Sequence, residues 1–243
     1  MQELPPHQAH LWYVLTDKPQ LSAKREAYLE MCTEEEREKY SRYHFEKDRW
    51  LYLLTRALIR TILSKYLPGK PSEWRFTANK YGKPSLLHPS GKAQSLCFNL
   101  TNTRGLVALL VANEVDVGID AEYTDRKMAA MELAHRFFSP TELAELRTHS
   151  PDYQKRRFLD YWTLKESFIK AKGMGLSLPL DSFSMLIADH KVDIEFHGLN
   201  ETPSNWQFQQ WTLDSKHLLA TAIHHEGKSP LEIEMRETIP AQP

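Results

Sequence analysis

The sequence predicts an α+β fold built from two similar halves, and two observations predict it. A helix-forming stretch from Thr33 to Leu67 is followed by a series of short strand-like runs. The same succession, a capped helical region and then a meander of strands, recurs from Ser139 onward. The residue offset between the two successions drifts, so the parallel is loose, but it points to an internal duplication. On this reading residues 1–114 form an N-terminal half and 115–226 a C-terminal half. The remainder, 227–243, is polar and proline-ended and is expected to be a flexible tail.

In chain order, Leu11 to Leu15 reads as a first strand and Ser22 to Leu29 as a short helix. Thr33 with Glu36 forms a capping-box pattern that opens a long helix, closed by Pro68-Gly69-Lys70-Pro71. Asn79 to Pro84 is a turn carrying Lys80 and Lys83 beside Gly82, able to offer N–H groups and ammonium charge to an anion. Leu96 to Leu100 and Leu106 to Ala112 read as a hairpin with its turn at Thr101 to Gly105. Val115 to Glu122 alternates as VDVGIDAE, with Val117, Ile119 and Ala121 on one face and Asp120 and Glu122 on the other. Ser139-Pro140-Thr141-Glu142 is a second capping box with proline at the first helical position, which favours a structural role for Glu142 and leaves a role as the catalytic base as the alternative. The helix that follows ends at Gly173, and Leu176 to Leu180 reads as extended. Four strand-like runs come next, near Phe183–Ile187, Lys191–His197, Trp206–Leu213 and Leu218–His224.

The chain of 243 residues carries a formal charge of −1, so nothing global draws it to nucleic acid or a membrane. Cys32 and Cys97 provide neither a disulfide framework nor metal-ligand spacing, and the histidines form no metal-like pair along a helix. The longest purely apolar run, Leu106 to Ala112, is too short to span a bilayer. Met1 to Pro6 lacks the features of a signal peptide. A soluble cytoplasmic protein is expected.

The chemistry concentrates in two places. Asp120 and Glu122 point the same way along a strand, about 7 Å apart, and repel unless a cation or water lies with them. In Arg157 to Lys172, Phe158, Tyr161, Trp162, Phe168 and Ile169 recur at helical spacing, and Glu166 falls in the same apolar arc with Lys170 at its edge and Lys165 on the opposite margin. A carboxylate on the buried side of a helix is costly unless cations or donors meet it, which marks Glu166 as a site residue. Three carboxylates with water and a phosphate oxygen would suit Mg²⁺.

These residues carry a resemblance. Val117-Gly118-Ile119-Asp120-Ala121-Glu122, followed by Trp162-Thr163-Leu164-Lys165-Glu166-Ser167-Phe168-Ile169-Lys170-Ala171, resembles the paired signature of the 4′-phosphopantetheinyl transferases. Gly173-Met174-Gly175-Leu176-Ser177-Leu178-Pro179-Leu180 extends the likeness to the surfactin-synthetase-activating type. Tyr81-Gly82-Lys83-Pro84 and Phe98-Asn99-Leu100-Thr101-Asn102 resemble two further motifs of that family nearer the N-terminus. The resemblance implies a monomer whose halves, each a mostly antiparallel sheet on a long helix, are related by a pseudo-twofold, with the active site in the cleft between them. It implies transfer of phosphopantetheine from coenzyme A to a serine of an apo acyl, peptidyl or polyketide carrier protein, leaving adenosine 3′,5′-bisphosphate.

By match, Asp120, Glu122 and Glu166 would hold Mg²⁺, and Lys165 and Lys170 would approach the phosphates. Lys83 and the Thr101–Asn102 turn would hold the nucleotide end, with Lys47, like Lys39 and Arg49, a further phosphate contact. Glu166, directly or through water, is the best acceptor for the serine proton, with Lys170 neutralising charge on the leaving phosphate. The chain departs from the family where Asn102 stands in place of a common histidine and Glu36 in place of a frequent basic residue. Two other classes remain open at this point: a non-catalytic module that binds carrier domains, and a Mg²⁺-dependent pyrophosphate hydrolase.

Overall fold

The computed structural model describes residues 1–87, 95–188 and 191–241. It is a mixed α+β fold whose chain divides into two units. The first comprises Met1–Ala78, Pro84–Glu114 and the segment from Glu232 onward; the second comprises Asn79–Lys83 and Val115–Leu231.

In the first unit, β1 (Gln8–Leu15) leads through α1 (Pro19–Ser22) and α2 (Arg25–Met31) to α3 (Glu34–Arg42) and α4 (Glu46–Tyr66). The helix expected to run unbroken from Thr33 is thus two. Tyr43 and Phe45 take extended backbone between them, with ψ of 129° and 135°. The break is held by the Arg49 guanidinium, which donates to the Tyr43 carbonyl at 2.9 Å, and by Tyr43 against Tyr52. The Thr33–Glu36 capping box forms as expected. Glu36 also accepts at 2.7 Å from the fully buried Arg60, whose other donors meet the carbonyls of Pro71 and Trp74. In this chain, then, the acidic residue at that position anchors α3 to α4.

A small ribbon, β2 (Arg75–Ala78) with β3 (Pro84–Leu87), precedes the hairpin of β4 (Leu96–Thr103) and β5 (Leu106–Asn113). Here β4 runs past the expected turn, pairing Thr101 with Ala108 and Asn102 with Val107. Alternation therefore sends these two neighbours to opposite faces of the sheet. Asn102 lies on the α4 face, its amide 3.4 Å from the Thr55 hydroxyl, while Thr101 is buried on the other. The expected Thr101–Asn102 turn is therefore strand, and its two residues face opposite sides of the sheet.

In the second unit β6 (Asp116–Tyr123) is followed by α5 (Ala130–Phe137), α6 (Pro140–Arg147) and α7 (Pro151–Lys172). The hairpin of β7 (Phe183–Ala188) and β8 (Lys191–Phe196) comes next, then β9 (Trp206–Leu213) and β10 (His217–His224). The segment expected to be extended, Leu176 to Leu180, is framed by two 3₁₀ turns, in which Ser177 and Ser182 each donate to a carbonyl three residues back. The sheet is antiparallel, in the order β6-β10-β9, and α7 lies on the face that carries Gly118, Asp120 and Glu122. Phe158, Leu164 and Phe168 of α7 meet Trp206, Phe208, Leu218, Ala220 and Ala222 of the two neighbouring strands.

The last element, β11 (Glu232–Glu237), overturns the expected tail. It pairs in parallel with β1, Ala9 opposite Ile233 and Leu11 opposite Met235, making the first unit's sheet β11-β1-β5-β4. Backbone pairing satisfies the β1 edge, and the Tyr28 hydroxyl donates to the Pro240 carbonyl further along. Residues 242–243 of that expected tail lie outside the described residues. Among the described residues no helix is long and apolar enough to cross a membrane.

Two glycines fix how α7 is set. A Cβ on Gly118 would sit 2.0 Å from the Ser167 carbonyl and 2.5 Å from the Ala171 nitrogen, so β6 and α7 touch backbone to backbone there. Gly173, at φ 65°, caps α7 in the left-handed conformation, and the Met174 N–H reaches back to the Ile169 carbonyl. We expect Gly118→Ala to push the helix from the strand and to cost about 2–3 kcal/mol, as overpacking does. Urea unfolding measures this, and an unchanged midpoint would show that α7 yields freely.

Candidate active site

The site forms where β6 and α7 meet at backbone distance. Strand alternation brings Asp120 and Glu122 to the helix, and one turn of α7 supplies Glu166 and Lys170. The Lys170 ammonium lies 2.6 Å from Asp120 Oδ1 and donates also to the Ile119 carbonyl at 3.2 Å. Glu122 is held by Arg126, whose Nη1 donates to both carboxylate oxygens at 2.6 and 2.5 Å. Opposite them on β10 stand Ala220 and Leu218, which bring no polar group to the carboxylates.

Burial raises the Glu122 pKa and the neighbouring Asp120 charge adds to it, against the pull of Arg126 and Lys170. Glu166, half-buried, is pushed up to about 7, first by burial and then by the Asp120 charge, with Glu122 adding and Lys170 opposing. The three carboxylates thus feel one another, as the sequence suggested. Among the described residues, however, no three His, Cys, Asp or Glu side chains converge closely enough to hold a metal ion as they stand. Lys170 and Arg126 sit on the carboxylate oxygens instead.

The raised Glu166 has a consequence for stability. Its folded pKa lies above the unfolded one, so the stability it contributes is present when protonated and is lost as pH rises through about 7. In the presence of EDTA, Glu166→Gln should therefore melt above wild type at pH 8, by the equivalent of about 2 kcal/mol after solvent screening. The gap should close toward pH 5, where the native carboxyl is already neutral. Melting curves at the two pH values check this; a constant gap would mean that Glu166 does not titrate in that range.

Two expected phosphate contacts are placed elsewhere. Lys165, expected on the margin of the apolar arc opposite Lys170, is fully buried. Its ammonium donates at 2.6 Å to the carbonyls of both Leu180 and Phe183 and pairs with Glu142 at 2.8 Å. All three of its donors are used within the protein, which corrects its assignment to substrate phosphates. Burial lowers its pKa, and Glu142 opposes that. The Glu142 carboxylate is saturated in turn by Ser139 N–H and hydroxyl, the Met185 N–H and Lys165, so it is a keystone of α6, α7 and β7 and not a base.

Lys83, expected at the nucleotide, donates to the Ala171 carbonyl at 2.6 Å and to Asp116 at 3.0 Å, where it complements the C-terminal dipole of α7. Asn79 beside it donates to the Gly173 carbonyl and organises the turn by accepting from the Tyr81 and Lys83 N–H groups. Lys47 is exposed in the first turn of α4, over the Phe45 ring. Arg126 was not foreseen; its only sequence signal is a basic residue four places after Glu122, in the turn that leaves β6.

A half-buried acid with its pKa pushed up to about 7 thus stands beside ammonium and guanidinium groups. Comparison with known proteins gives the family. The family model described as the 4′-phosphopantetheinyl transferase superfamily matches residues 116–222, and one described as the N-terminal part of a 4′-phosphopantetheinyl transferase matches 18–114. The chain is 32% identical to 4′-phosphopantetheinyl transferase Sfp of Bacillus subtilis strain 168, over 88% of this chain and 92% of that protein. It is 35% identical, with the same coverage, to another 4′-phosphopantetheinyl transferase of Bacillus subtilis. It is 32% identical to 4′-phosphopantetheinyl transferase HetI of a Nostoc species, over 70% of each chain. The chain belongs to the 4′-phosphopantetheinyl transferase family, in its Sfp type, and is a transferase.

Proposed function

We propose that this protein transfers the phosphopantetheine of coenzyme A to a serine of an apo carrier protein, with Mg²⁺, acting as a monomer. The observation that carries the reading is the grouping of Asp120, Glu122, Glu166 and Lys170 where β6 and α7 meet backbone to backbone. The donor set suits Mg²⁺: three carboxylates, all hard oxygen ligands, whose mutual repulsion a divalent cation would relieve. Bound by Asp120, Glu122 and Glu166, that cation would supply charge neutralisation for the coenzyme pyrophosphate.

The protein's own groups do the rest. The serine oxygen attacks the phosphorus nearer the pantetheine, and the bond from that phosphorus to the bridging oxygen breaks. Adenosine 3′,5′-bisphosphate leaves with the electron pair, and the serine proton passes to the Glu166 carboxylate. Lys170, within reach of the same space, meets the growing charge on the leaving phosphate. Lys47, exposed on α4, and Asn102 and Thr101, on β4, remain proposed contacts for the coenzyme. Lys83 and Lys165 serve α7 instead.

The test is to mix apo carrier protein, coenzyme A and Mg²⁺ with the enzyme and weigh the carrier. A mass gain of one phosphopantetheine, dependent on Mg²⁺, is expected. Cleaved coenzyme beside an unchanged carrier would replace the reading with pyrophosphate hydrolysis. A stable complex without covalent change would replace it with a binding module.

A further inference from the structure

The two cations on the carboxylates are not alike. Lys170 is set in the body of α7 and donates to a β6 carbonyl as well as to Asp120, so its place is fixed by the helix–strand contact. Arg126 stands on the irregular segment between β6 and α5, its side chain 39% exposed, and among the described residues its side-chain hydrogen bonds go to Glu122. It takes both oxygens of a carboxylate that is only 12% exposed, the very oxygens a hard cation would need.

Charge sharpens the point. Among the described residues Lys170 and Arg126 pair with Asp120 and Glu122, so a divalent ion brought to these carboxylates meets positive charge already in place. Departure of one resident cation relieves that repulsion. Arg126, long, peripheral and carried by a loop, is the one whose departure disturbs no helix or strand.

We propose that Arg126 is a displaceable counterion: it caps Glu122 while no divalent cation is bound, and the cation binds by driving it off. This rests on the assignment of Asp120, Glu122 and Glu166 as Mg²⁺ ligands. Divalent-ion affinity is then set by competition as well as by the carboxylates, and Arg126 lowers it. The guanidinium prevents three like charges from facing one another in the resting protein, a role that a strongly bound metal would otherwise have to fill.

The test is titration calorimetry of MgCl₂ into the full-length protein, stripped with EDTA and dialysed, with no other ligand present. Arg126→Gln should bind Mg²⁺ about five- to tenfold more tightly than wild type, the scale of a partly exposed ion pair. Arg126→Lys, which keeps the charge on a shorter side chain, should fall between them. A purely structural role for Arg126 would leave the affinity unchanged or weaken it, and either result overturns the proposal. Asp120→Asn separates the two readings, because it should abolish Mg²⁺ binding whatever Arg126 does. If Asp120→Asn binds as wild type does, or wild type shows no binding, the metal assignment falls and the proposal with it. If Asp120→Asn fails to bind while Arg126→Gln matches wild type, only the counterion role is lost.

Discussion

Lys165→Ala is expected to destabilise the protein by about 3–5 kcal/mol, enough to leave a large fraction unfolded at physiological temperature. The ammonium it removes is fully buried and meets Glu142 and two carbonyls, of Leu180 and Phe183. Its loss strands a buried carboxylate without its cation, and that stranding costs more than the missing attraction itself. Lys165→Met with Glu142→Gln should recover part of the loss, because no bare charge then remains. Chemical unfolding of the two variants measures both effects. If Lys165→Ala unfolds at the wild-type midpoint yet binds coenzyme A poorly, Lys165 is a substrate contact after all.

The second large effect belongs to Asp120→Asn, which should slow transfer by about a thousandfold and leave the unfolding midpoint near that of wild type. Asp120 holds Lys170 and raises Glu166, so its neutralisation disturbs both groups proposed to act in the reaction. Without the Asp120 charge the Glu166 pKa should also fall, which moves the rising limb of the rate–pH profile to lower pH. Rates between pH 5.5 and 8.5 at saturating coenzyme A and Mg²⁺ would show this. A variant that turns over at near wild-type rate removes Asp120 from the machinery.

Much of this site was legible before any coordinates, because its parts lie on regular elements. Alternation along VDVGIDAE places Asp120 and Glu122 on one face, and helical spacing puts Lys170 one turn from Glu166. Periodicity failed at Lys165 for a physical reason. α7 is covered on two sides, by the β6-β10-β9 sheet and by the turns before β7, so no single apolar arc defines its inside. An ammonium in such a helix reads as solvent-facing until its partner is known, and Glu142 lies 23 positions earlier on another helix. The Thr101–Asn102 turn failed because turn-type residues were counted without register, and pairing with Ala108 and Val107 made them strand. For β11 the alternation of Ile233 and Met235 was present. Its partner, more than two hundred residues away, was not something that local pattern can indicate.

That partner also sets a schedule for the making of the protein. β1, β4 and β5 leave the ribosome early, while β11 follows about 120 residues after β5, once all of the second unit has been synthesised. At about 5–20 residues per second, the β1 edge then waits roughly 6–24 seconds for its neighbour. Over that interval a nascent chain presents an unpaired, largely apolar strand edge, the kind of surface that chaperones hold and that drives aggregation when they do not. Yield in a cell would then hinge on the speed of translation between Val115 and Leu231, although none of those residues belongs to the sheet at risk.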